Sequence, residues 1–207
     1  MYKSMLDFVK DRLEFSGGED CSKVGKFPFR KRSEHIWRVF LWTKRLMSEV
    51  DNINKEAVLV SAIFHDVGYG IDKDNSHHAE NSAKICKDYL IENGFSIEFV
   101  DIVTYLIRNH SKKDLMYIKD TPKELIILME ADLLDETGAL AIVWDCMMEG
   151  SEQIQSFEKT YEHIKNFSDK IMRTNPMVTA KAKEFWKEKQ KLTKEFIKHL
   201  SFDLGIA

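Results

Sequence analysis

Apolar residues recur every three or four positions along most of the chain, which is the spacing of one buried face of an α-helix. The clearest of these stripes comprises Ile36, Val39, Phe40, Thr43, Leu46, Met47 and Val50. Ser33 precedes the stripe and is the expected N-cap of its helix. No segment alternates convincingly between apolar and polar residues, as a half-buried strand would. The pattern therefore predicts an all-α protein.

Glycine, proline and capping residues divide the chain into further predicted helices. These are expected at about residues 2–13, 54–66, 77–93, 96–110, 137–148, 151–173 and 178–200. Gly17 and Gly18 end the helix at 2–13, and Asn54 is the expected cap of the helix at 54–66. One more helix begins at Thr121, which forms a predicted capping box with Glu124. Irregular loops are expected at residues 16–32, 71–76 and 111–120.

Composition narrows the class of protein. The 207 residues suffice for one domain, and 43% hydrophobic with 31% charged residues excludes a disordered chain. Lysine and arginine number 31 against 34 aspartate and glutamate residues, which gives a net charge of -3. This balance provides no overall field that would attract nucleic acid or an anionic membrane. We therefore expect neither of them as a partner.

The cysteines and the N-terminus indicate the compartment. Cys21, Cys86 and Cys146 are odd in number and share no CxxC spacing, which supports neither a disulfide framework nor a thiolate zinc site. Charged residues interrupt the apolar ones between Met1 and Arg12, unlike in a signal peptide. No apolar run approaches the roughly 20 residues needed to span a bilayer. These observations favour a reducing, cytoplasmic location.

Three polar residues, His65, His110 and Asp132, fall on apolar stripes and should face inward. Burying an unpaired carboxylate costs more than a folded domain can spare, so Asp132 must be hydrogen-bonded, paired with a cation or bound to a metal. Five of the seven histidines lie in one part of the chain, namely His35, His65, His77, His78 and His110. Imidazole nitrogens and carboxylate oxygens are suitable ligands for a divalent transition metal. A metal centre is therefore the favoured interpretation.

At these residues the chain resembles the HD-domain superfamily of metal-dependent phosphohydrolases, an all-helical fold named for its adjacent His-Asp. The matching segments are PFRKRSEH at 28–35, AIFHDVG at 62–68, HAENSA at 78–83, IRNHS at 107–111 and EADLLD at 130–135. The resemblance covers about residues 27–141, and the helices of residues 151–207 lie beyond it. It implies a single HD-domain helical bundle over residues 1–207 with additional C-terminal helices.

The resemblance also implies a ligand set. By it, His35, His65, Asp66 and Asp132 hold one divalent transition metal ion, with manganese, iron, cobalt, nickel or zinc as candidates. Asp135 follows Asp132 by three positions on the same predicted helix. It could hold a ligand histidine in its correct tautomer or cap the following helix.

Tyr69, His78 and His110 are the residues by which the chain can be compared with subfamilies of the HD superfamily. Tyr69 stands where some nucleotidases of the family have a glutamate and some binuclear members have a lysine, so neither subfamily's acid, base or charge clamp is carried over. The binuclear members use further histidines, and His78 and His110 could serve as such ligands of a second ion. We favour one ion, with His78 and His110 lining the pocket.

The implied activity is that of a phosphomonoesterase or phosphodiesterase that acts on a small phosphate ester, such as a nucleotide or a related metabolite. The ion would lower the pKa of a bound water toward about 7 for in-line attack on phosphorus. Asp66 or Asp132 could accept the proton of this water. His78 or His110 could protonate the leaving oxygen, since an imidazole titrates near neutrality.

A phosphate ester needs cations besides the metal. Arg32 and Arg38 lie within a turn of a predicted ligand histidine, and Lys112 with Lys113 follows another. Arg32, Arg38 and Lys112 are the substrate-binding candidates, because their side chains could approach a phosphate at the metal. Tyr69 sits in the loop just past the ligands and could stack on a nucleobase.

Other functions remain open. One is a non-catalytic regulator that keeps the HD fold and binds a nucleotide or a metal, although the complete ligand set argues against it. Another is a di-iron oxygenase on the same fold, which would need His78 and His110 as ligands. The apolar stripes of residues 151–207 could close the core, cover the site or contact a second subunit, so a homo-oligomer is also open.

Overall fold

The computed structural model describes residues 1–19, 31–72 and 75–206. Over these residues every regular element is helical and none is a β-strand, which confirms the all-α class. The helices are α1 (Tyr2–Ser16), α2 (Arg32–Leu46), α3 (Lys55–Phe64), α4 (His78–Glu92), α5 (Ile97–Asn109), α6 (Lys123–Asp135), α7 (Ala139–Gly150), α8 (Phe157–Ile164), α9 (Lys170–Met172) and α10 (Ala180–Asp203). Short 3-10 helices lie at Met47–Glu49 and Lys113–Tyr117, and a π-helical turn lies at Lys165–Asp169.

Parts of two predicted loops lie outside the described residues. These are residues 20–30, which include Cys21 and most of the 16–32 loop, and residues 73–74 of the 71–76 loop. The predicted 111–120 loop is described, and it contains the 3-10 helix Lys113–Tyr117.

The chain divides into two compact units, Met1–Asp132 and Leu133–Ala207. Cys86 is a buried free thiol of the first unit, and Cys146 is an exposed one of the second. Among the described residues, none of the helices is long and apolar enough to cross a membrane.

In the first unit, α3 is the central helix. α2 and α5 pack against it, and α4 packs against α5. Every residue from Ala57 to Phe64 is buried, because this segment is apolar on all faces and must be surrounded by other helices. α3 ends at Phe64, before His65 and Asp66 rather than after them. These two residues therefore emerge from the centre of the unit.

The start of α2 differs from the prediction. Ser33 is not the N-cap, because α2 begins at Arg32. Instead the Glu19 carboxylate accepts hydrogen bonds from the Ser33 hydroxyl and, at 3.0 Å, from the Ser33 backbone N–H. A carboxylate at this position complements the partial positive charge of the helix N-terminus.

The residues of the predicted capping box before α6 bond elsewhere. The Thr121 hydroxyl donates to the carbonyl oxygen of Leu115 at 2.7 Å. The Glu124 carboxylate accepts from the backbone N–H of Asn54 at 2.8 Å. The helix nevertheless begins at Lys123, close to the predicted start.

The second unit contains α7 to α10. The helix predicted at 151–173 begins at Phe157, because the Ser156 hydroxyl caps it by accepting from the backbone N–H of Lys159 at 3.1 Å. α10 buries Trp186, the bulkiest fully buried side chain among the described residues.

Candidate metal centre

Helix ends bring four imidazole rings around one carboxylate in the first unit. His35 lies in the first turn of α2 and His78 begins α4, whereas His65 and His110 directly follow α3 and α5. Asp66 comes next after His65, where the chain turns away from the central helix. Packed helices hold these side chains in place more rigidly than loops would.

Backbone hydrogen bonds fix the tautomers of three rings. The Nδ1 atoms of His65, His78 and His110 lie 2.8, 3.0 and 2.7 Å from the carbonyl oxygen of the residue three positions earlier. A carbonyl oxygen only accepts, so Nδ1 is the nitrogen that carries the proton in each neutral ring. The Nε2 lone pair is left free for a ligand.

Asp66 lies between two pairs of Nε2 atoms. Its Oδ2 is 3.5 Å from Nε2 of His65 and 3.6 Å from Nε2 of His35. Its Oδ1 is 3.4 Å from Nε2 of His110 and 3.7 Å from Nε2 of His78. Carboxylate oxygens and imidazole lone pairs repel each other unless a cation or a proton lies between them. The arrangement therefore calls for a cation.

Asp132, on α6, completes the cluster beside His35. Its Oδ1 is 3.3 Å from Nε2 of His35 and 3.9 Å from Nε2 of His65, while its Oδ2 accepts from Lys113 Nζ at 2.6 Å. The Nε2 atoms of His35 and His65 are 3.3 Å apart. Because His65 keeps its proton on Nδ1, His35 is the donor in this contact. A bound metal ion would replace that proton.

The residues fit a transition metal ion. Two groups have ligand atoms within 4.8 Å of one another: His35, His65 and Asp132, and His65, Asp66 and His110. Imidazole nitrogens favour a transition metal over magnesium or calcium, which prefer oxygen ligands. Since His65 belongs to both groups, the geometry alone does not fix how many ions bind.

Arg32 and Tyr69 lie together beside the central aspartate. Arg32 Nη1 donates to Asp66 Oδ2 at 2.7 Å, and the guanidinium carbon lies 3.9 Å from the centre of the Tyr69 ring. The Tyr69 and His78 rings are 4.6 Å apart. The tyrosine thus packs between an arginine and a histidine of the site.

Burial and charge set the protonation states. Burial lowers the pKa of His65 to about 4 and also lowers the pKa of His78. Burial alone would raise the pKa of Asp66 and of Asp132. Interactions with His65 and the Arg32 guanidinium hold the pKa of Asp66 well below 3.8, and the Lys113 ammonium does the same for Asp132. Neutral imidazoles and ionised carboxylates are the forms that bind metal.

Three predicted residues have other contacts. Arg38 Nη1 is 4.0 Å from Glu34 Oε2, one turn earlier on α2. Lys112 Nζ donates to Asn109 Oδ1 at 3.0 Å on the exposed surface. Asp135 is buried at the end of α6. Their roles at the site stay predictions.

Two residues of the site had no specific role in the predictions: Lys113 was named only together with Lys112, and Ser111 only as part of the segment at 107–111. Lys113 bonds the aspartate of α6, as described above. The Ser111 hydroxyl lies 3.0 Å from Nε2 of His78 and 3.1 Å from Nε2 of His110. Their position just after His110 pointed to both residues, but the turn into the 3-10 helix decides which of these consecutive side chains contacts the site.

Glycines let the turn after α3 pack closely against its neighbours. A Cβ on Gly68 would lie 2.5 Å from the carbonyl oxygen of His78 and 2.5 Å from the backbone nitrogen of Ser82. A Cβ on Gly18 would lie 2.2 Å from the carbonyl oxygen of Tyr69. The turn that carries the central aspartate is thus held against α4 and against the end of α1.

A second polar cluster lies in the second unit. Nε2 of His163 is 3.4 Å from Asp145 Oδ1, and its Nδ1 is 2.7 Å from Glu149 Oε1. Asp145 also accepts a hydrogen bond from the Ser168 hydroxyl. Burial raises the pKa of Asp145, although Ser168 and His163 oppose this. These partners satisfy one another, which is typical of a structural cluster.

The family model of the HD domain matches residues 32–137, which is more than half of the chain. A curated relative, the bifunctional uridylyltransferase/uridylyl-removing enzyme of Vibrio vulnificus, is 41% identical over 56 residues. The aligned segment is 27% of this chain and 6% of that enzyme, so the chain spans only a small part of its relative.

Solved structures share the fold over the whole chain. An HD-superfamily hydrolase from Bacillus thuringiensis has a TM-score of 0.71 at 21% identity, covering 100% of this chain and 97% of its own. A predicted HD-superfamily hydrolase from an uncultured Thermotogales bacterium has a TM-score of 0.68 at 20% identity, covering 98% and 92%. Bacillus subtilis YpgQ in complex with ADP has a TM-score of 0.65 at 21% identity, covering 100% of both chains. At these identities the likeness shows the fold.

Proposed function

The chain belongs to the HD-domain family, which confirms the resemblance of its motifs, and from this premise we propose that it is a metal-dependent phosphohydrolase acting on a small phosphate ester. One observation carries the proposal: Nε2 lone pairs of His65, His78 and His110 converge on Asp66 at 3.4 to 3.7 Å. Acceptors facing acceptors at this distance need a cation between them. A structural cluster would instead pair donors with acceptors.

We assign one divalent ion to His35, His65, Asp66 and Asp132. When bound, the ion supplies Lewis acidity that acidifies a water molecule and polarises a phosphoryl oxygen. Arg32 and Lys113 hold the two carboxylates, each through a hydrogen bond of 2.7 or 2.6 Å. A second ion between Asp66 and the remaining histidines is the alternative that the measured stoichiometry decides.

Proton transfer falls to His78 and His110, at Nε2. Their Nδ1 protons are held by backbone carbonyls, so only Nε2 can exchange a proton with the substrate. The Ser111 hydroxyl lies 3.0 and 3.1 Å from the two Nε2 atoms, and it can donate to only one of them. The other Nε2 keeps its lone pair and can take up a proton from solvent. That proton is available to the leaving oxygen, while Asp66 accepts the proton of the attacking water.

A nucleotide or a related metabolite is the proposed substrate. The ADP complex of Bacillus subtilis YpgQ, which has the same fold, supports this choice. The cationic side chains Arg32 and Lys113, placed beside the carboxylates, favour an anionic substrate such as a phosphate ester.

Metal analysis is the first test. Protein purified without an affinity-metal column is analysed for metal per chain as purified, and again after loading with Mn²⁺ and desalting. The forms compared are wild type, Asp132→Ala, Asp66→Asn and Asp72→Asn. Asp72 is the matched control, because its carboxylate also lies beside a histidine, His77, at 3.5 Å, but on the surface. We expect about one ion in wild type and control, and little in the other two variants.

Hydrolysis is then assayed with 4-nitrophenyl phosphate, bis(4-nitrophenyl) phosphate and ADP, which separates monoesterase from diesterase activity. Asp66→Asn should abolish turnover of whichever substrate is cleaved. Two irons per chain with oxygen consumption would replace the proposal by the di-iron oxygenase. Wild type that binds no metal would exclude catalysis and leave the non-catalytic regulator.

A further inference from the structure

The side chains around the metal centre differ in exposure. The buried set comprises His35, His65, Asp66 and His110, none of them more than 5% exposed. The more exposed set comprises His78, Asp132 and Lys113, at 18%, 21% and 28%. We call this second set the open edge. Among the described residues, an anion arriving from solution meets the open edge first.

At the open edge, the Lys113 ammonium has more donors than its hydrogen bond to Asp132 uses. Its ammonium carries three donors, and in the described part of the chain it makes one side-chain hydrogen bond, to Asp132 Oδ2 at 2.6 Å. Its backbone N–H donates to the carbonyl oxygen of Ser111 at 3.1 Å, which fixes its position beside the histidines. The remaining ammonium donors can therefore bond an anion without the chain rearranging.

The other candidate cations are placed differently. Arg32 has a side chain only 10% exposed and donates to Asp66 Oδ2, the oxygen that faces His35 and His65. Arg38 lies near Glu34, and the Lys112 ammonium bonds the Asn109 side chain on the surface. Lys113 thus combines contact with the metal centre and access from solvent.

Resting on the phosphohydrolase function proposed above, we propose that Lys113 is the residue that binds the substrate's phosphate group at the open edge. If Asp132 holds the proposed ion, its carboxylate would share its negative charge between that ion and the Lys113 ammonium. The Lys113 ammonium would then use its remaining donors to bond a phosphate oxygen of the substrate.

The test measures two dissociation constants by calorimetry on the 207-residue chain: that of Mn²⁺ for the metal-free form, and that of inorganic phosphate at saturating Mn²⁺. The variants are Lys113→Met, Lys113→Arg, Lys112→Met and Lys119→Met. Lys112→Met tests the lysine that the sequence favoured. Lys119→Met is the matched control, since it removes the same charge from an exposed position in the same segment.

Lys113→Met should raise the Kd of phosphate by about tenfold or more, because a charge-assisted hydrogen bond is lost. Lys113→Arg should stay within about threefold of wild type, since it keeps a cationic donor. Lys112→Met and Lys119→Met should change the Kd by no more than about twofold, as expected for screened surface charges. The Kd of Mn²⁺ in Lys113→Met should be unchanged or lower, because Asp132 loses a competing cation.

Equal phosphate binding by Lys113→Met and Lys119→Met would overturn this inference and leave the phosphohydrolase function standing. A Kd of Mn²⁺ raised about tenfold in Lys113→Met would also overturn it, since the lysine would then act by positioning Asp132. Wild type that binds neither Mn²⁺ nor phosphate would overturn the proposed function itself, and the inference with it.

Discussion

Replacing Gly68 by alanine tests how closely the turn after α3 packs against α4. The new Cβ would lie 2.5 Å from the carbonyl oxygen of His78 and from the backbone nitrogen of Ser82, whereas ordinary contacts begin near 3.4 Å. Both atoms belong to the backbone at the start of α4, so no side-chain rotation can relieve the overlap. The helix, with His78 on it, must therefore shift by roughly an ångström.

The expected cost combines two terms. Overpacking of this kind costs about 1–3 kcal/mol. The shift also weakens the buried hydrogen bond that Gly68 N–H donates to the Ser82 hydroxyl at 2.8 Å, which is worth about 1 kcal/mol. We expect Gly68→Ala to lower the free energy of unfolding by about 3 kcal/mol in total.

Gly94→Ala is the control. Gly94 has φ +77° and no neighbouring atom within 4 Å of an added Cβ, so alanine there incurs only the left-handed backbone cost of about 1–2 kcal/mol. Urea unfolding of both metal-free variants, followed by circular dichroism, gives the comparison. If Gly68→Ala is no less stable than Gly94→Ala, the close approach described here is wrong.

Three further predictions concern the metal centre. Arg32→Met should lower the free energy of unfolding of the metal-free protein by about 3 kcal/mol, because Asp66 is left as an uncompensated buried charge; an unchanged urea midpoint would contradict this. The metal-free protein should be fully stabilised by neutral His65 above pH 6.5 and lose up to about 3 kcal/mol as the pH falls towards 4, because the unfolded ring takes up a proton at its ordinary pKa of 6.5 and the buried ring only at about 4. His65→Asn cannot titrate and should lose less over the same range in urea unfolding at each pH; an equal loss would assign the effect to other groups. Ser111→Ala should cost about 1 kcal/mol or less in stability but shift the pH profile of kcat, and a profile identical to that of wild type would remove the serine from proton transfer.

The helices themselves were largely predictable. The all-α class follows from spacing within single turns, and the structure confirms Asn54 as the cap of α3 and the predicted start of α5 at residue 96, where Ser96 is the cap. Both caps accept from a backbone N–H three residues later, so the whole interaction lies within a few consecutive residues. Such local interactions are readable from the sequence because they do not depend on the packing of the chain.

The start of α2 was not predictable in the same way. Serine is a residue type typical of N-caps, which is why Ser33 was predicted there, but the group that accepts from this helix end is the Glu19 carboxylate. This residue lies far enough away in sequence that only the folded chain brings it to the helix. Helix boundaries that depend on side chains distant in sequence therefore cannot be predicted from the local sequence pattern.

By itself, the sequence determined which ligand chemistry is present: histidines and aspartates on apolar stripes, where an unpaired charge would be too costly. Only the tertiary structure decided how these groups meet. It placed Asp66 between two pairs of Nε2 atoms, put Arg32 on one of its oxygens, and turned Lys113 rather than Lys112 toward Asp132. The physical reason is that residue type and burial follow from neighbours along the chain, whereas distances between helix ends depend on how separate helices pack.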